Sequence, residues 1–461
     1  MELVLDLHIH SRFSRAVSPR MNLQNMYIWG RKKGINILSV ADFTHPIWFR
    51  EASSQLEEIN SGIYRLKDTK AVGRELGELS QKDFLGPHFM LSTEVAAIYS
   101  ENGVGHRIHN LIFAPNFETA AKINAALTKL GINLSADGRP ILGISTKVLA
   151  EVLFEIDRKI AIIPCHIWTP WFSLYGSRSG YDRIQDCFGE YTKYIFAIET
   201  GLSSDPAMNW RINELATRSI VSFSDAHSMQ KMGREATVIK IKNQKSKIKN
   251  DDITYDNILN SFVRGRERVF EIAYTIEFYP EEGKYHYTGH RNCGISYTPD
   301  DDKNKGTNCP VCGRPLTVGV MHRVEELANI DANNFRPRQD KFGVVWMEDP
   351  KGVKPPYVSL VPLLEVLAEA QGSADSSQAV LSMFDRLVTR FGSEHEVLFR
   401  TDLSEIRTAA GERIAQAIER VRARNISIKP GYDGEYGKVE IWNKDEEAEK
   451  NGEKSQLGLG F

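Results

Sequence analysis

LVLDLHIH, residues 3–10, has the pattern of a buried strand that ends in a His-x-His pair. Side chains alternate along a strand, so His8 and His10 project from one face and can bind one ion together. Six later runs have the same apolar continuity over four to six residues, which predicts buried strands. These runs are NILSVADF (36–43), HFMLSTEVA (88–96), RIHNLIFA (107–114), KIAIIPCH (159–166), YIFAIET (194–200) and SIVSFSDAH (219–227).

Amphipathic stretches such as LQNMYIWGRKKG (23–34) and TKVLAEVLFEIDRKI (146–160) separate several of the strands. Strands that alternate with helices predict an α/β fold with a parallel sheet or a (β/α) barrel. We also expect the long gap between Arg50 and Pro87 to be helical. In a barrel the carboxyl ends of all strands converge on one face, so residues spread over 220 positions would meet there.

Every predicted strand ends in a side chain that can bind a metal. These side chains are His8, His10, Asp42, Glu94, His109, His166, Glu199, Asp225 and His227. A carboxylate such as Glu94 can bridge two divalent ions, which would activate water as a nucleophile for a phosphodiester without any Ser or Cys nucleophile. We predict that all of them except Glu199 are metal ligands, and that His8, Glu94, His166 and Asp225 are catalytic. Glu199 and His45 remain open between ligands and hydrogen-bonded core residues.

DLHIHS, VADF, STEV, RIHNLIF, IPCHIW and FSDAH resemble the successive motifs of the polymerase and histidinol phosphatase (PHP) superfamily. The resemblance implies a distorted seven-stranded barrel with two or three divalent ions, which are zinc, manganese or magnesium. Many members have a further histidine where this sequence has Ala16, so the number of ions stays open. DFTHP (42–46), HIWTPWFSLYGSRSGY (166–181) and PGYDGEYGK (430–438) resemble the endonuclease Q branch, which nicks DNA on the 5′ side of deaminated bases (hypoxanthine, uracil, xanthine) and abasic sites.

Aromatic and basic residues adjoin the predicted metal ligands. Trp168, Trp171, Phe172 and Tyr175 follow His166, together with Arg178, and could stack on a base removed from a duplex. Packing of a long loop explains each aromatic residue equally well. Arg12 and Arg15 follow the His-x-His pair and could contact phosphate, although solvated surface is the simpler interpretation.

His290, Cys293, Cys309 and Cys312 have the spacing of a structural zinc site, with His286 as an alternative to His290. The surrounding segment, 274–330, is too poor in apolar periodicity to hold a core alone, so a metal would supply stability. We predict a small zinc-binding module here. It follows a barrel that spans residues 1–273.

Residues 331–359 contain Pro355 and Pro356 and are predicted to be a linker. A helical DNA-binding region with a terminal strand pair should follow over 360–443. Within it TDLSEIRTAAGERIAQAIERVRAR (401–424) resembles a helix-hairpin-helix element that turns at Gly411, where backbone amides could hold a phosphate. Ala409 replaces the usual first glycine of that hairpin, and an ordinary helical hairpin is a close alternative.

The remaining features concern charge, location and partners. The 461 residues carry a formal net charge of -2, which gives no global case for nucleic-acid binding, and the basic run Lys240–Lys249 has the composition of a solvated loop. No segment is long and apolar enough to span a membrane, so we expect a cytoplasmic, nucleoid-associated protein. Residues 444–461 have the composition of a flexible tail, in which Gln456, Leu459 and Phe461 resemble a peptide that binds the bacterial sliding clamp.

These features favour a metal-dependent endonuclease that acts on double-stranded DNA containing a damaged base. A small-molecule phosphatase would explain the barrel but would leave the zinc module and the hairpin without a purpose. A non-catalytic DNA-binding or clamp-binding scaffold is the other alternative, and the complete set of ligands argues against it.

Overall fold

The computed structural model describes residues 2–242, 249–265, 268–330 and 335–442. It has a mixed α/β fold. The strands are β1 Glu2–Asp6, β2 Ile37–Ser39, β3 Leu56–Asn60, β4 Ile63–Leu66, β5 His88–Met90, β6 Ser92–Glu101, β7 Val104–Phe113, β8 Ala161–Pro164, β9 Ala197–Glu199, β10 Ser219–Val221, β11 Ala236–Ile241, β12 Phe270–Glu277, β13 Thr288–His290, β14 Ile295–Tyr297, β15 Arg336–Gln339, β16 Val345–Glu348, β17 Tyr357–Ser359, β18 Ser427–Lys429 and β19 Lys438–Glu440.

Helices occupy the connections in the first half of the chain and dominate the second half. They are α1 Leu23–Lys33, α2 Pro46–Gln55, α3 Lys70–Leu76, α4 Phe117–Lys129, α5 Thr146–Ile156, α6 Ile184–Phe188, α7 Pro206–Asn209, α8 Tyr255–Ser261, α9 Pro299–Lys305, α10 Val320–Leu327, α11 Leu363–Gln371, α12 Gln378–Phe391, α13 Glu394–Phe399, α14 Leu403–Ala410 and α15 Glu412–Arg422. None of the helices within the described ranges is long and apolar enough to cross a membrane.

The strands form one large sheet and several small ones. All seven apolar runs contain a strand, as predicted. The ten-stranded sheet has the order β15-β16-β17-β12-β11-β1-β2-β5-β4-β3, while β6, β7 and β8 form a separate sheet and β9 pairs with β10. Pairing is mixed, because β1 is parallel to β2 but antiparallel to β11. The hydrogen-bonded pairs of the described strands do not close into a ring, so the seven-stranded barrel remains a prediction.

Strand β1 shows how the sequence positions the site. Leu3, Leu5 and Leu7 are fully buried in one apolar cluster, which also contains Ile163 from β8 and Val221 from β10. Because side chains alternate, Asp6, His8 and His10 are turned away from that cluster. The apolar face therefore fixes the chain against its neighbours and leaves the polar face, which is also buried, for chemistry.

The gap between Arg50 and Pro87 is not wholly helical. Strands β3 and β4 form an antiparallel hairpin there, and β4 pairs with β5 to extend the large sheet. Gly62, with φ 73°, provides the left-handed conformation that the tight connection requires. The prediction missed this hairpin because its first strand, LEEIN, is half polar.

The predicted boundaries after the barrel need correction. Strand β12 crosses the proposed boundary at residue 273 and pairs with β11 on one side and β17 on the other. The predicted linker, 331–359, contains β15, β16 and β17, which add to the large sheet. Trp346 of β16 packs against Tyr274 of β12, with ring centroids 4.8 Å apart. Tertiary packing rather than local sequence pattern thus makes this segment a strand hairpin.

The carboxyl-terminal region has five helices, α11 to α15, and the predicted terminal strand pair is present as β18 and β19. Helices α14 and α15 meet at Gly411, whose φ of 90° and ψ of 168° favour glycine. The buried Arg422 of α15 donates hydrogen bonds to the carbonyl oxygens of Leu398 and Thr401 and, across the fold, of Phe342. The helices are therefore fastened to the strand hairpin that precedes them.

Candidate metal centre

The proposed ligands are brought together by strand ends and by one hairpin. Strands β6 and β7 turn at Asn102 and Gly103, both with positive φ, and their register pairs Glu94 with Leu111 and Ala96 with His109. Glu94 and His109 are therefore diagonal neighbours on one face of the hairpin. His166 follows β8 with φ 32°, and a Cβ on Gly201 would lie 2.2 Å from the His166 Cβ. Only a glycine at position 201 allows the chain after β9 to approach His166 so closely.

One group of ligand atoms comes from His8, His10, Glu94 and Asp225, and these atoms all lie within 4.8 Å of one another. His10 Nε2 is 3.1 Å from Asp225 Oδ1 and 3.2 Å from Glu94 Oε2. Asp225 is held with φ 46°, a strained conformation for a non-glycine residue that often marks a functional site.

A second group comes from Glu94, His109 and His166. His109 Nδ1 lies 2.5 Å and His166 Nε2 3.1 Å from Glu94 Oε1. Glu94 thus directs Oε1 at the second group and Oε2 at the first. A carboxylate shared in this way has the geometry of a bridging ligand for two divalent ions.

The donor set suits cations. His8 Nδ1 is 2.8 Å from Glu199 Oε1, whereas His8 Nε2 is buried and has no hydrogen-bond partner. A buried polar atom without a partner is costly unless a ligand satisfies it. Although burial opposes ionisation, the neighbouring His109 and Arg139 lower the pKa of Glu94 well below its usual range. Burial lowers the pKa of His109 to about 4, so its ring is neutral and can bind a metal.

Two predicted ligands lie beside these groups rather than in them. Asp42 Oδ2 accepts hydrogen bonds from Ser11 N and from the hydroxyls of Ser11 and Ser14, and its other oxygen is 3.2 Å from His10 Nδ1. Asp42 therefore contacts His10 from outside the two groups, and its role as a ligand stays a prediction. The ring of His227 packs on that of His10 at 4.7 Å, while its Nδ1 faces the Asp225 carbonyl oxygen.

Three further residues lie around the two ligand groups. The sequence left the roles of His45 and Glu199 undecided and gave no indication of Arg139. His45 caps α2 and stacks on Phe13, so it has a structural role. Glu199 is fully buried, contacts His8 and accepts a hydrogen bond from His166 N. Arg139 Nη1 donates to Glu94 Oε2 at 3.0 Å. No sequence signal indicated Arg139, because it lies in a loop that only the fold brings to Glu94.

A cavity of about 1050 Å³ opens next to the two groups. Trp171 and Phe172 line it, as does Arg15, whose side chain is 77% exposed. Trp168 and Tyr175 are fully buried, with hydrogen bonds to Asn209 and Glu214 respectively. This corrects their assignment as stacking faces, because the aromatic residues of the loop divide between core and cavity.

The other residues predicted to contact DNA differ in their exposure and in the partners that they already have. Arg12 forms an ion pair with Glu51 at 2.7 Å, and both side chains are about one third exposed. Arg178 is exposed, and it donates to the Leu316 carbonyl oxygen at 3.3 Å, which joins the loop to the cysteine-rich segment. Gly411 is open to solvent at the turn between α14 and α15. Whether these residues bind DNA remains a prediction.

The cysteine-rich segment forms a separate group. Ligand atoms of His290, Cys293, Cys309 and Cys312 all lie within 4.8 Å of one another. His286 is buried elsewhere, its Nδ1 has no hydrogen-bond partner, and it does not belong to this group. The spacing and the geometry agree on His290 as the fourth member. A closed four-ligand set is typical of a structural zinc site.

Two features of the sequence lie outside the described residues. The proposed clamp-binding residues Gln456, Leu459 and Phe461 belong to the segment 443–461, for which no structure is described. Most of the basic run, residues 243–248, is likewise outside the described part of the chain.

Comparison with known sequences finds one matching family model and similar uncharacterised proteins. A family model described as the MJ0043 C-terminal domain matches residues 362–425. The uncharacterised protein MJ0043 of Methanocaldococcus jannaschii is 32% identical over 59% of this chain, which spans 31% of that protein's length. The uncharacterised protein YqxK of Bacillus subtilis is 26% identical over 95% of this chain and 99% of its own.

Among solved structures, the lesion-specific endonuclease PfuEndoQ from Pyrococcus furiosus is similar with a TM-score of 0.76 and 28% identity, over 98% of this chain and 99% of that one. The chain is therefore similar to endonuclease Q over nearly its whole length. Endonuclease Q in complex with a 27-mer duplex that carries an abasic lesion is similar to this endonuclease Q-like chain with a TM-score of 0.75 and 29% identity, over 96% of this chain and 98% of the other.

Proposed function

We propose that the chain is a metal-dependent DNA endonuclease that nicks the strand on the 5′ side of a deaminated base (hypoxanthine, uracil or xanthine) or an abasic site. The observation that carries the proposal is Glu94, whose two carboxylate oxygens face two separate groups of histidine and carboxylate ligands. The similarity to a lesion-specific endonuclease over nearly the whole chain supports the choice of substrate.

The residues fit two divalent ions. His8, His10, Glu94 and Asp225 would hold one ion, and Glu94, His109 and His166 would hold the other. Divalent ions at these positions supply Lewis-acid activation of water and of the scissile phosphate. Asp42 and Glu199 hold the imidazoles of His10 and His8 in fixed orientations, which is the usual role of carboxylates behind histidine ligands.

Arg139 provides a permanent positive charge at the edge of the ligand groups. Its guanidinium lines the cavity, and Glu94 raises the pKa of Arg139 further above its usual range. A charge in this position can stabilise the negative charge that develops on phosphate oxygens during cleavage. The Arg139 side chain is only 26% exposed, so water screens that charge weakly.

The cavity offers room and stacking surfaces for a nucleotide removed from the duplex. Trp171, Phe172 and Tyr285 line it beside Arg15 and Lys284. Aromatic faces bind bases by stacking, and the cations suit the adjoining phosphates. The zinc module contributes to holding the duplex, because Arg178 links it to the loop that carries Trp171.

Cleavage of labelled duplexes tests the proposal. One duplex carries hypoxanthine, a second carries an abasic site, and a third carries adenine at the same position. We expect a single nick 5′ of either lesion, no nick at adenine, loss of activity in a chelator and recovery after addition of manganese, zinc or magnesium. Hydrolysis of p-nitrophenyl phosphate without any nicking would instead support the phosphatase, and lesion binding without cleavage would support the scaffold.

A further inference from the structure

Tyr436 stands out because its apolar surface is left in solvent. It lies in the connection between β18 and β19, residues 430–437, and its side chain is 71% exposed. No other large hydrophobic side chain in the described part of the chain is more exposed. Exposed single residues are common on protein surfaces, so exposure alone decides nothing. The backbone around Tyr436 is the second observation.

That connection is pinned to the segment before β13 by four backbone hydrogen bonds. Gly431 N donates to Glu281 O, Gly434 N to Lys284 O, Gly437 N to Glu282 O, and Tyr287 N to Gly431 O, at 2.8 to 3.1 Å. The approach is close, since a Cβ on Gly437 would lie 2.1 Å from Glu281 O. The tyrosine is therefore presented on a rigid support.

Asp433 fixes the same connection to the zinc module. Its two carboxylate oxygens accept hydrogen bonds from Arg291 N and from the Thr317 hydroxyl. Arg291 follows the proposed zinc ligand His290 directly, so the position of Tyr436 depends on the folded module. Three elements that are distant in sequence thus cooperate to hold one exposed aromatic ring.

Tyr436 stands at the wall of the cavity that adjoins the metal ligands. It lines that cavity together with Lys284, Tyr285 and Trp171. The Lys284 ammonium lies 5.0 Å from the Tyr436 ring, and the rings of Trp171 and Tyr285 are 5.5 Å apart. The ring is consequently close to the space into which a nucleotide would turn, with a cation beside it for a phosphate.

We propose that Tyr436 inserts into the duplex beside the lesion and stacks on the base pair that the everted nucleotide leaves exposed. A side chain that fills this gap offsets part of the cost of unstacking and unpairing. Rigidity favours this role, because a preorganised ring loses little conformational entropy on insertion. The inference rests on the proposed function, since it presupposes a lesion that leaves the helix.

The test compares Tyr436→Ala and Tyr436→Phe with the unchanged protein on two substrates. In one, hypoxanthine is paired within a duplex; in the other, it lies in a short unpaired bubble, where no stacked gap has to be filled. Stacking of a base on an aromatic ring corresponds to a loss of about tenfold or more in rate when the ring is removed. We expect this loss for Tyr436→Ala on the paired lesion, a much smaller loss on the bubble, and near-normal rates for Tyr436→Phe.

Val353→Ala is the control, because Val353 is 70% exposed but does not line the cavity. Fluorescence of 2-aminopurine next to the lesion measures eversion without cleavage, and it should rise less with Tyr436→Ala than with the control. Unchanged nicking and fluorescence, or an equal loss on both substrates, would overturn the insertion role. Failure of the unchanged protein to nick either lesion would instead overturn the proposed function itself.

Discussion

At the scale of single residues, Glu94 connects the two proposed ligand groups through its separate oxygens. Loss of one oxygen's charge would disturb both groups at once, since each contains histidines that face it. The surrounding fold does not depend on that charge, because the backbone of β6 is held by its pairing with β7.

Glu94→Gln should therefore lower nicking by about a thousandfold or more, since metal-ion catalysis supplies several kcal/mol and each 1.4 kcal/mol is tenfold in rate. Binding of a lesion duplex and the melting temperature should change little, because most of the proposed DNA-contacting residues lie elsewhere. Nicking rates and duplex affinity, measured side by side, check this. Asp375→Asn, an exposed carboxylate that lines the same cavity, is the matched control. Full cleavage by Glu94→Gln would contradict the assigned chemistry.

Glu199 acts differently, because it touches His8 through Nδ1 and leaves Nε2 for a metal. Glu199→Gln keeps the shape but removes the charge that orients the imidazole. Loss of such a partner typically weakens metal affinity about 10- to 100-fold. We expect nicking to fall at low metal concentration and to recover as metal is added, as Glu94→Gln should not. A titration of activity against manganese checks this expectation. A defect that excess manganese does not repair would contradict a positioning role.

The sequence predicted which strand-end side chains lie close together better than it predicted the separate surroundings of each. Ligand type and strand periodicity suffice to bring His8, His10 and Glu94 to one place. They cannot tell that Asp42 faces serine hydroxyls, or that Trp168 points into the core while Trp171 points to the cavity. Those differences depend on loop conformations that arise only from tertiary packing.

At the scale of elements, the zinc module has very little core of its own. Its separate apolar cluster contains Tyr297, Cys309 and Leu316, with Cys293 and Ile295 packed against them. Two of these five residues are also proposed ligands. Folding of such a small segment normally depends on the bound metal.

Replacing both Cys309 and Cys312 with serine should therefore remove about one zinc per chain and lower the temperature at which the module unfolds. Elemental analysis and thermal melting measure the two effects. The buried Cys187 lies in α6 outside this group, so Cys187→Ser serves as a control for loss of a thiol. Unchanged zinc content in the double variant would refute the site.

The strands that the sequence did not predict were missed for one physical reason. β15 has the exposed sequence RPRQ, and every residue of β16 is partly buried, so neither shows the alternation of a half-buried strand. Their pairing becomes favourable because β17 and β12 already offer a sheet edge. Local pattern cannot reveal an edge that is built from β17, which comes later in the chain, and from β12, whose last residue Glu277 lies 59 positions before Arg336.

At the scale of the whole molecule, buried acids make stability depend on pH. Burial raises the pKa of Glu277 to about 8, although Ser222 and Thr275 donate hydrogen bonds to it. Because the folded-state pKa exceeds the unfolded value, the folded protein binds the proton more tightly. The stabilisation that the folded protein gains by binding this proton is complete below the ordinary pKa of 4.5. It is lost as the pH rises towards the folded-state pKa of about 8.

Glu277→Gln should remove much of that dependence, because the amide stays neutral and its oxygen can still accept both hydrogen bonds. The melting temperature of the unchanged protein should fall as pH rises from about 4.5 to about 8, and the variant should melt higher near the upper value. Melting curves across this range check the sign. Glu101, an acid near the surface, provides the control Glu101→Gln. A parallel decline in protein and variant would show that Glu277 does not cause it.

The pairing of β12 with β17 also bears on how this protein could vary over evolution. The chain leaves the large sheet at the end of β12, rejoins it in β15 and β16, and then reaches β17 beside β12, so the predicted zinc module is an insertion tethered at both ends. Lengthening such an excursion costs little, since each doubling of a loop adds only about 0.6 kcal/mol of closure entropy. Natural variants could therefore gain or lose residues in the module's surface turns and fit new duplex shapes, while the sheet that supports the metal ligands is inherited intact.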